Sequence, residues 1–419
     1  MARPATEPEH TSPTFAEEAE QDSPHAPDGE GHRVAIAFGL LGAGAVASVA
    51  CLGGLWLLMI ALSWPHREPS GTPTWGINFD CDYAEYLLLE EPGGPYTPDN
   101  RPGRAEWCAE TLGTLLTGLD ARYVRLSVQW SQVEPRDGEY DFALLDALLW
   151  EAERHEAKVL LTVGMKGQRH PEYYIPEWVL AESVPPEGGT PSDDPFIRER
   201  ALRMVEAVVR RTAASTAIDS WAAENEPFVI SGRSAHWRLT AEWVAAVRDT
   251  IHANDPAGRP VVAAHAQHFV RDRRWQDALE VGDVLGTSIY PFRNYSALGI
   301  DFVMPILEIG PIAPNYAHQR REAEGRGKEF WITEMQAEPW IDGDPRRVGP
   351  ENPSENLTEG KFRKNIEYAR KTGAQRVYLW GAEWWLFQRY RHHDSWWWDL
   401  ARETIATSPT AGAAGMTTP

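Results

Sequence analysis

From residue 74 to residue 403, short apolar runs alternate with longer stretches whose apolar residues recur at helical spacing. The runs TWGINFD (74–80), RYVRLSV (122–128), KVLLTVG (158–164) and IDSWAAENE (218–226) read as strands, as do PVVAAH (260–265), DVLGTSIYP (283–291), EFWITEM (329–335) and RVYLWGAE (376–383). Between them, Leu145, Leu148, Leu149 and Ala152 share one helical face, and Ile197, Ala201, Met204, Val205 and Val208 share another. Further helices are expected near 240–253 and 355–372. Eight strands alternating with helices over a segment of this length predict an α/β fold of the (β/α)8 TIM-barrel type. A doubly wound sheet usually has fewer strands and a Gly-rich first turn. No GxGxxG or phosphate-binding loop occurs.

The pattern is different before residue 74. Residues 1–33 carry eight acidic against two basic residues and no large apolar cluster, the composition of a disordered acidic tail. Residues 34–64, including AFGLLGAGAVASVACLGGLWLLMIAL, are uncharged. They exceed the roughly 20 apolar residues a membrane span requires and the usual core of a cleaved signal peptide. One transmembrane helix is expected there, followed by a linker (65–73), the barrel domain (74–403) and a second disordered tail (404–419). Flanking charge barely discriminates orientation, with Arg33 on one side and His66-Arg67 on the other. The function read below favours a domain outside the cell membrane.

The chain has 419 residues and a formal charge of −21, which repels a phosphate backbone and argues against a nucleic-acid partner. Of three cysteines, Cys51 falls in the apolar run, while Cys81 and Cys108 are able to pair in an oxidising compartment. No spacing suggests zinc, and adjacent His392 and His393 read as rim residues rather than metal ligands. The 19 tryptophans are the compositional outlier. Flat amphipathic rings suit sugar faces, although most tryptophans serve packing.

In a TIM barrel, chemistry gathers at the C-terminal strand ends. Strand four ends Asn225-Glu226-Pro227, strand six Ser288-Ile289-Tyr290-Pro291, strand seven Thr333-Glu334 and strand eight Trp380-Gly381-Ala382-Glu383. Carboxylates on opposite walls of one mouth suit glycosidic bond cleavage, which needs a proton donor and a nucleophile or base. Glu224 is assigned to the barrel–helix interface, facing away from Glu226. His265 is read as a core histidine, and Lys166, Arg169 and His170 as either a polar lining or a solvated loop.

The motifs WSQVEPRDGEYDF (130–142), AENEP (223–227), GTSIYP (286–291), WITEMQAEPW (331–340) and YLWGAEWW (378–385) occur in order at the expected strands. With them the chain resembles the clan A glycoside hydrolases, especially family 5 cellulase-like members. The resemblance implies a retaining β-glycoside hydrolase with Glu226 as general acid/base and Glu334 as nucleophile. It implies that Asn225 holds the sugar 2-hydroxyl, that Arg125 and Tyr290 orient the nucleophile, and that Trp380 lies beneath the sugar. Glu338 is expected to recognise sugar hydroxyls, and Glu383 to serve either a subsite or a salt bridge. Trp130, Trp340, Trp384 and Trp385 are loop aromatics, at least one of which should stack on a sugar. No metal or cofactor is implied, and the expected partner is a carbohydrate. The rival readings are a non-catalytic carbohydrate-binding barrel and a cell-envelope scaffold. The long first loop, residues 81–108, departs from family 5 and leaves the sugar open.

Overall fold

The computed structural model describes Val46 and residues 48–58, 72–90, 103–169, 172–230, 235–267, 271–297, 300–305, 313–341 and 343–409. The chain forms two units, Met1–Leu57 and Leu58–Pro419. In the first, Val46 and residues 48–57 are helical, with Val49, Leu52 and Leu57 exposed. Among the described residues, no helix is long and apolar enough to cross a membrane. The rest of the predicted span at 34–64 lies outside the described residues, as do the acidic tail, most of the linker and residues 410–419.

The second unit is a closed parallel barrel of eight strands: β1 (Thr74–Asn78), β2 (Tyr123–Ser127), β3 (Lys158–Val163), β4 (Ile218–Ala223), β5 (Val261–Ala264), β6 (Val284–Ile289), β9 (Phe330–Gln336) and β10 (Arg376–Trp380). Between β6 and β9 lies an antiparallel hairpin, β7 (Phe292–Ala297) and β8 (Ile300–Pro305), which joins no barrel strand. The sequence pattern did not predict it.

Alternation along the strands sorts two cores. Leu160, Ala222, Val262, Val284, Trp331 and Tyr378 form a small inner cluster, whereas their strand neighbours Val159, Trp221, Val261, Leu285 and Ile332 join the larger core against the helices. The expected helices appear at Ala143–Arg154, Pro195–Thr212, Ala241–Asn254 and Glu359–Thr372. Their starts follow local chemistry: Asp194 caps a helix with Pro at its first position, and Thr240 and Thr358 accept from the backbone N–H groups of Trp243 and Lys361. The final helix runs Trp396–Ile405, past the predicted domain end, and Ser408 Oγ accepts from Trp75 N at 3.0 Å, tying the chain's exit to the start of β1.

In the first loop, the helices Cys81–Leu88 and Arg104–Leu119 are joined by a Cys81–Cys108 disulfide with Cα atoms 5.6 Å apart. Arg104 adds ion pairs to Asp82 and Glu85. The bridge spans 27 residues, a loop whose closure should stabilise the domain by about 3–4 kcal/mol. Denaturant midpoints with and without reductant, set against a C81S/C108S double variant, measure this. Free thiols in non-reduced peptide maps would refute the pairing.

Candidate active site

The C-terminal strand ends bring Asn78, Arg125, Asn225, Glu226, Tyr290, Glu334 and Trp380 to one end of the barrel. Glu334 arrives through an irregularity in β9. Ile332 pairs with Thr287 and Glu334 with Ser288, so Thr333 is an extra residue in the register. Strict alternation from the inward Trp331 would put Thr333, not Glu334, on the inner face. The bulge re-aims the carboxylate.

Once inside, Glu334 is clamped. Arg125 Nη1 donates to Oε1 at 2.8 Å and Tyr290 OH donates to Oε2 at 2.6 Å, with Arg125 fully buried. The Arg125 guanidinium also reaches Asn225 Oδ1 at 2.6 Å and Asn78 Oδ1 at 3.3 Å. Asn78 is anchored in turn, its Nδ2 donating to the carbonyls of Thr333, Tyr378 and Leu379. Burial, with the charges of Glu334 and Glu226, holds the Tyr290 hydroxyl well above its ordinary pKa, so it remains a neutral donor.

Glu226 has the opposite environment. Burial first, then the negative charge of Glu334, raises its pKa to about 7, and its Oε1 makes no hydrogen bond within the protein. The residue adopts φ 43°, a left-handed conformation that costs a side-chain-bearing residue free energy and tends to mark functional sites. Buried Lys166 steadies this turn, donating to the carbonyls of Glu226 at 3.0 Å and Val229 at 3.1 Å. One carboxyl group is thus kept as an acid while another has its charge met by fixed donors, an asymmetry suited to acid-assisted displacement.

Glu224 does face away from Glu226, though not through strand alternation, since positions two apart share a face. It too is left-handed, at φ 68°. Its carboxyl group accepts from Trp243 Nε1 at 2.7 Å and from the backbone of Met165 and Lys166, on the helix side of the barrel. His265 is fully buried, 2.9 Å from Asp272. His170 lies outside the described residues.

The aromatic candidates separate. Trp340 is 43 % exposed and meets Tyr290 edge-on, 5.4 Å between ring centroids. It stands beside the Arg125–Tyr290 clamp on Glu334. Trp130 is 0 % exposed, in a short helix, with its Nε1 on Glu134. Trp384 and Trp385 belong to the helix Ala382–Arg391, not a loop, and pack with Phe387, Trp397 and Phe362. Neither they nor Trp130 present an open ring face. Glu383 lies in the first turn of that same helix, beyond the end of β10.

Glu338 and Glu383 converge on Arg169. Its Nη1 donates to Glu338, its Nη2 donates to Glu383 at 3.0 Å, and Trp380 Nε1 donates to Glu338 at 2.9 Å. Glu383 also accepts from Asp80 N at 2.5 Å. Asp80 has its own pKa raised to about 7, by burial and then by Asp82. Sequence reasoning missed Asn78, Asp80 and Tyr83 altogether. The one available signal was Asn-Phe-Asp closing the first strand, where the other strands carry their chemistry.

A sequence model described as β-galactosidase, glycoside hydrolase family 42, matches residues 96–246. No curated protein sequence matches the chain. Among solved structures, the chain is similar to a family 5 subfamily 18 glycoside hydrolase from Streptomyces cattleya in complex with GlcNAc (13 % identity, 74 % of this chain and 70 % of that one, TM-score 0.48). It is also similar to a cold-adapted β-galactosidase from Rahnella sp. R3 (12 %, 75 % and 51 %, TM-score 0.49) and to the β-galactosidase of the psychrophilic Marinomonas ef1 (17 %, 73 % and 53 %, TM-score 0.47). The chain therefore spans about half the length of those two β-galactosidases. With eight parallel strands closed into a barrel and carboxylates at the ends of β4 and β9, the second unit is a (β/α)8 barrel that is similar, over residues 96–246, to the family 42 glycoside hydrolases.

Proposed function

We propose that the protein is a retaining β-glycoside hydrolase acting by double displacement, with Glu334 as nucleophile and Glu226 as general acid/base. The observation that carries this reading is the asymmetry of the pair: Glu334 receives Arg125 and Tyr290, while burial and the charge of Glu334 raise the pKa of Glu226 to about 7. Glu226 donates its proton to the glycosidic oxygen as Glu334 attacks the anomeric carbon, forming a glycosyl ester and releasing the aglycone. Glu226, now ionised, then takes a proton from water, which attacks the ester and returns the sugar with its original configuration. A binding barrel or scaffold has no use for an acid and a clamped carboxylate facing one cleft. In this reading Asn225, which Arg125 holds, meets the sugar 2-hydroxyl, and exposed Trp340 beside Tyr290 stacks on a sugar face. The β-galactosidase match over residues 96–246 supports a β-glycoside as substrate. Aryl β-glycosides of galactose, glucose and mannose test the activity. NMR of the first-formed sugar tests the stereochemistry: a β anomer is expected, and an α anomer would contradict double displacement.

The same reading includes a tether, with residues 34–64 in the cell membrane and the barrel outside acting on an extracellular glycan or oligosaccharide. Support comes from the uncharged run and from the Cys81–Cys108 disulfide, which suits an oxidising compartment. Protease treatment of intact cells should remove the barrel from the cell surface. A protected barrel with loss of the N-terminal tail would reverse the orientation.

A further inference from the structure

Arg169 leaves the loop after β3 and ends among residues that follow β1, β9 and β10, although β1 and β2 stand between β3 and β10 in the barrel. The side chain is therefore an arm that reaches past β2 and β1 to the β10 side of the mouth. Its guanidinium lies between two rings, 3.7 Å from the centroid of Tyr83 and 4.1 Å from that of Trp380. Its edge is held by Glu338 and Glu383, whose side chains are 10 % and 0 % exposed. Trp380 is fixed at its own edge by Glu338, and Tyr83 rides on the disulfide-bonded first-loop helix. The backbone at Arg169 is left-handed, φ 65°, a strain that persists where surrounding contacts over-determine the conformation. Three stacked planar groups with two carboxylates at their edge form a wall. The Trp380 face they cover is closed to a sugar.

The proton donor fixes which end of the cleft this wall closes. The aglycone departs past Glu226 at the end of β4, so the β10 and β1 side holds the glycone. We propose, resting on the glycosidase reading above, that Arg169 sets the length of the glycone site: the Tyr83–Arg169–Trp380 stack leaves room for one sugar ring. The substrate is then a β-glycoside whose terminal residue is removed, and Arg169 is a specificity-determining residue rather than a catalytic one.

Aryl β-biosides of the sugar that the protein accepts test this, with the first product identified by chromatography. Wild type should release the terminal monosaccharide first. Arg169→Ala should release the intact disaccharide with the aryl group, and raise the ratio of bioside to monoside aryl release by at least about 10-fold. Because Arg169→Ala leaves two buried carboxylates without their cation, Tyr83→Ala, which opens the stack from its other side, provides a second variant and should move the ratio the same way. Disaccharide as the first product of wild type, or an unmoved ratio in both folded variants, would overturn the proposal. If wild type turns over no glycoside, the glycosidase reading fails separately. Calorimetry on Glu334→Gln with free mono- and disaccharides then decides the barrier, with equal binding of both counting against it.

Discussion

Glu334→Gln should fold as wild type does and lose at least about 10⁴-fold in kcat/KM, as is usual when a nucleophile that acts in concert with its partners is removed. The amide is nearly isosteric: its oxygen can still accept from Arg125, and its NH2 group can donate to the Tyr290 hydroxyl oxygen, where the native carboxylate oxygens accept at 2.8 Å and 2.6 Å. Buried Arg125 keeps a polar partner, with Asn225 and Asn78 at its other contacts, so loss of activity should not be accompanied by unfolding. An amide does not attack the anomeric carbon to give a glycosyl ester. Thermal denaturation and kinetics on a 2,4-dinitrophenyl glycoside check both halves of this expectation. Wild-type turnover in a folded Glu334→Gln protein would remove Glu334 from the mechanism and leave the Arg125–Tyr290 clamp without a catalytic account.

The second large effect depends on the leaving group. Glu226→Ala should cost about 10²–10⁴-fold on substrates with poor leaving groups, the usual contribution of a positioned acid. It should cost little in the first step on dinitrophenyl glycosides, which depart without a proton. Azide, small enough to enter where the carboxyl group was, should restore turnover and yield a β-glycosyl azide. The pH profile provides a further check. A general acid must begin protonated, and Glu226 has its pKa raised to about 7, so kcat/KM in wild type should fall as pH rises through about 7. Glu226→Ala should lose that limb. The stability linkage has the same sign. A carboxyl group whose folded pKa is raised favours the folded state most fully below the ordinary carboxylate range, and that contribution is lost as pH rises through about 7. Glu224 and Asp80, each also raised to about 7 by burial, act in the same direction. The barrel should therefore be more stable at pH 5 than at pH 8, by denaturant midpoint. The opposite order would show that these carboxyl groups are not held protonated.

Much of this architecture was present in one dimension. Strand periodicity, helical spacing at Leu145–Ala152 and Ile197–Val208, and caps such as Thr240 and Asp194 are local, so the sequence determined the eight strands, the main helices and the barrel. Because a TIM barrel places chemistry at strand ends, Asn225, Glu226, Tyr290, Glu334 and Trp380 could be read as one mouth from sequence alone. Tertiary structure decided what each side chain faces. The extra residue at Thr333 turns Glu334 inward, and left-handed backbone at Glu224 and Glu226 sends two carboxylates of one strand end to different environments. Neither follows from alternation. Trp384 and Trp385 were read as loop aromatics but continue a helix, because chain reversal after β10 takes only Gly381, at φ 149°. Arg169 was indistinguishable from a solvated loop arginine, since its partners Tyr83, Glu338 and Glu383 lie far away along the chain and meet it only after the barrel has closed. Local propensity fixes which residues form an element. Long-range register and backbone irregularity fix where a charge ends up, and no short stretch of sequence encodes them.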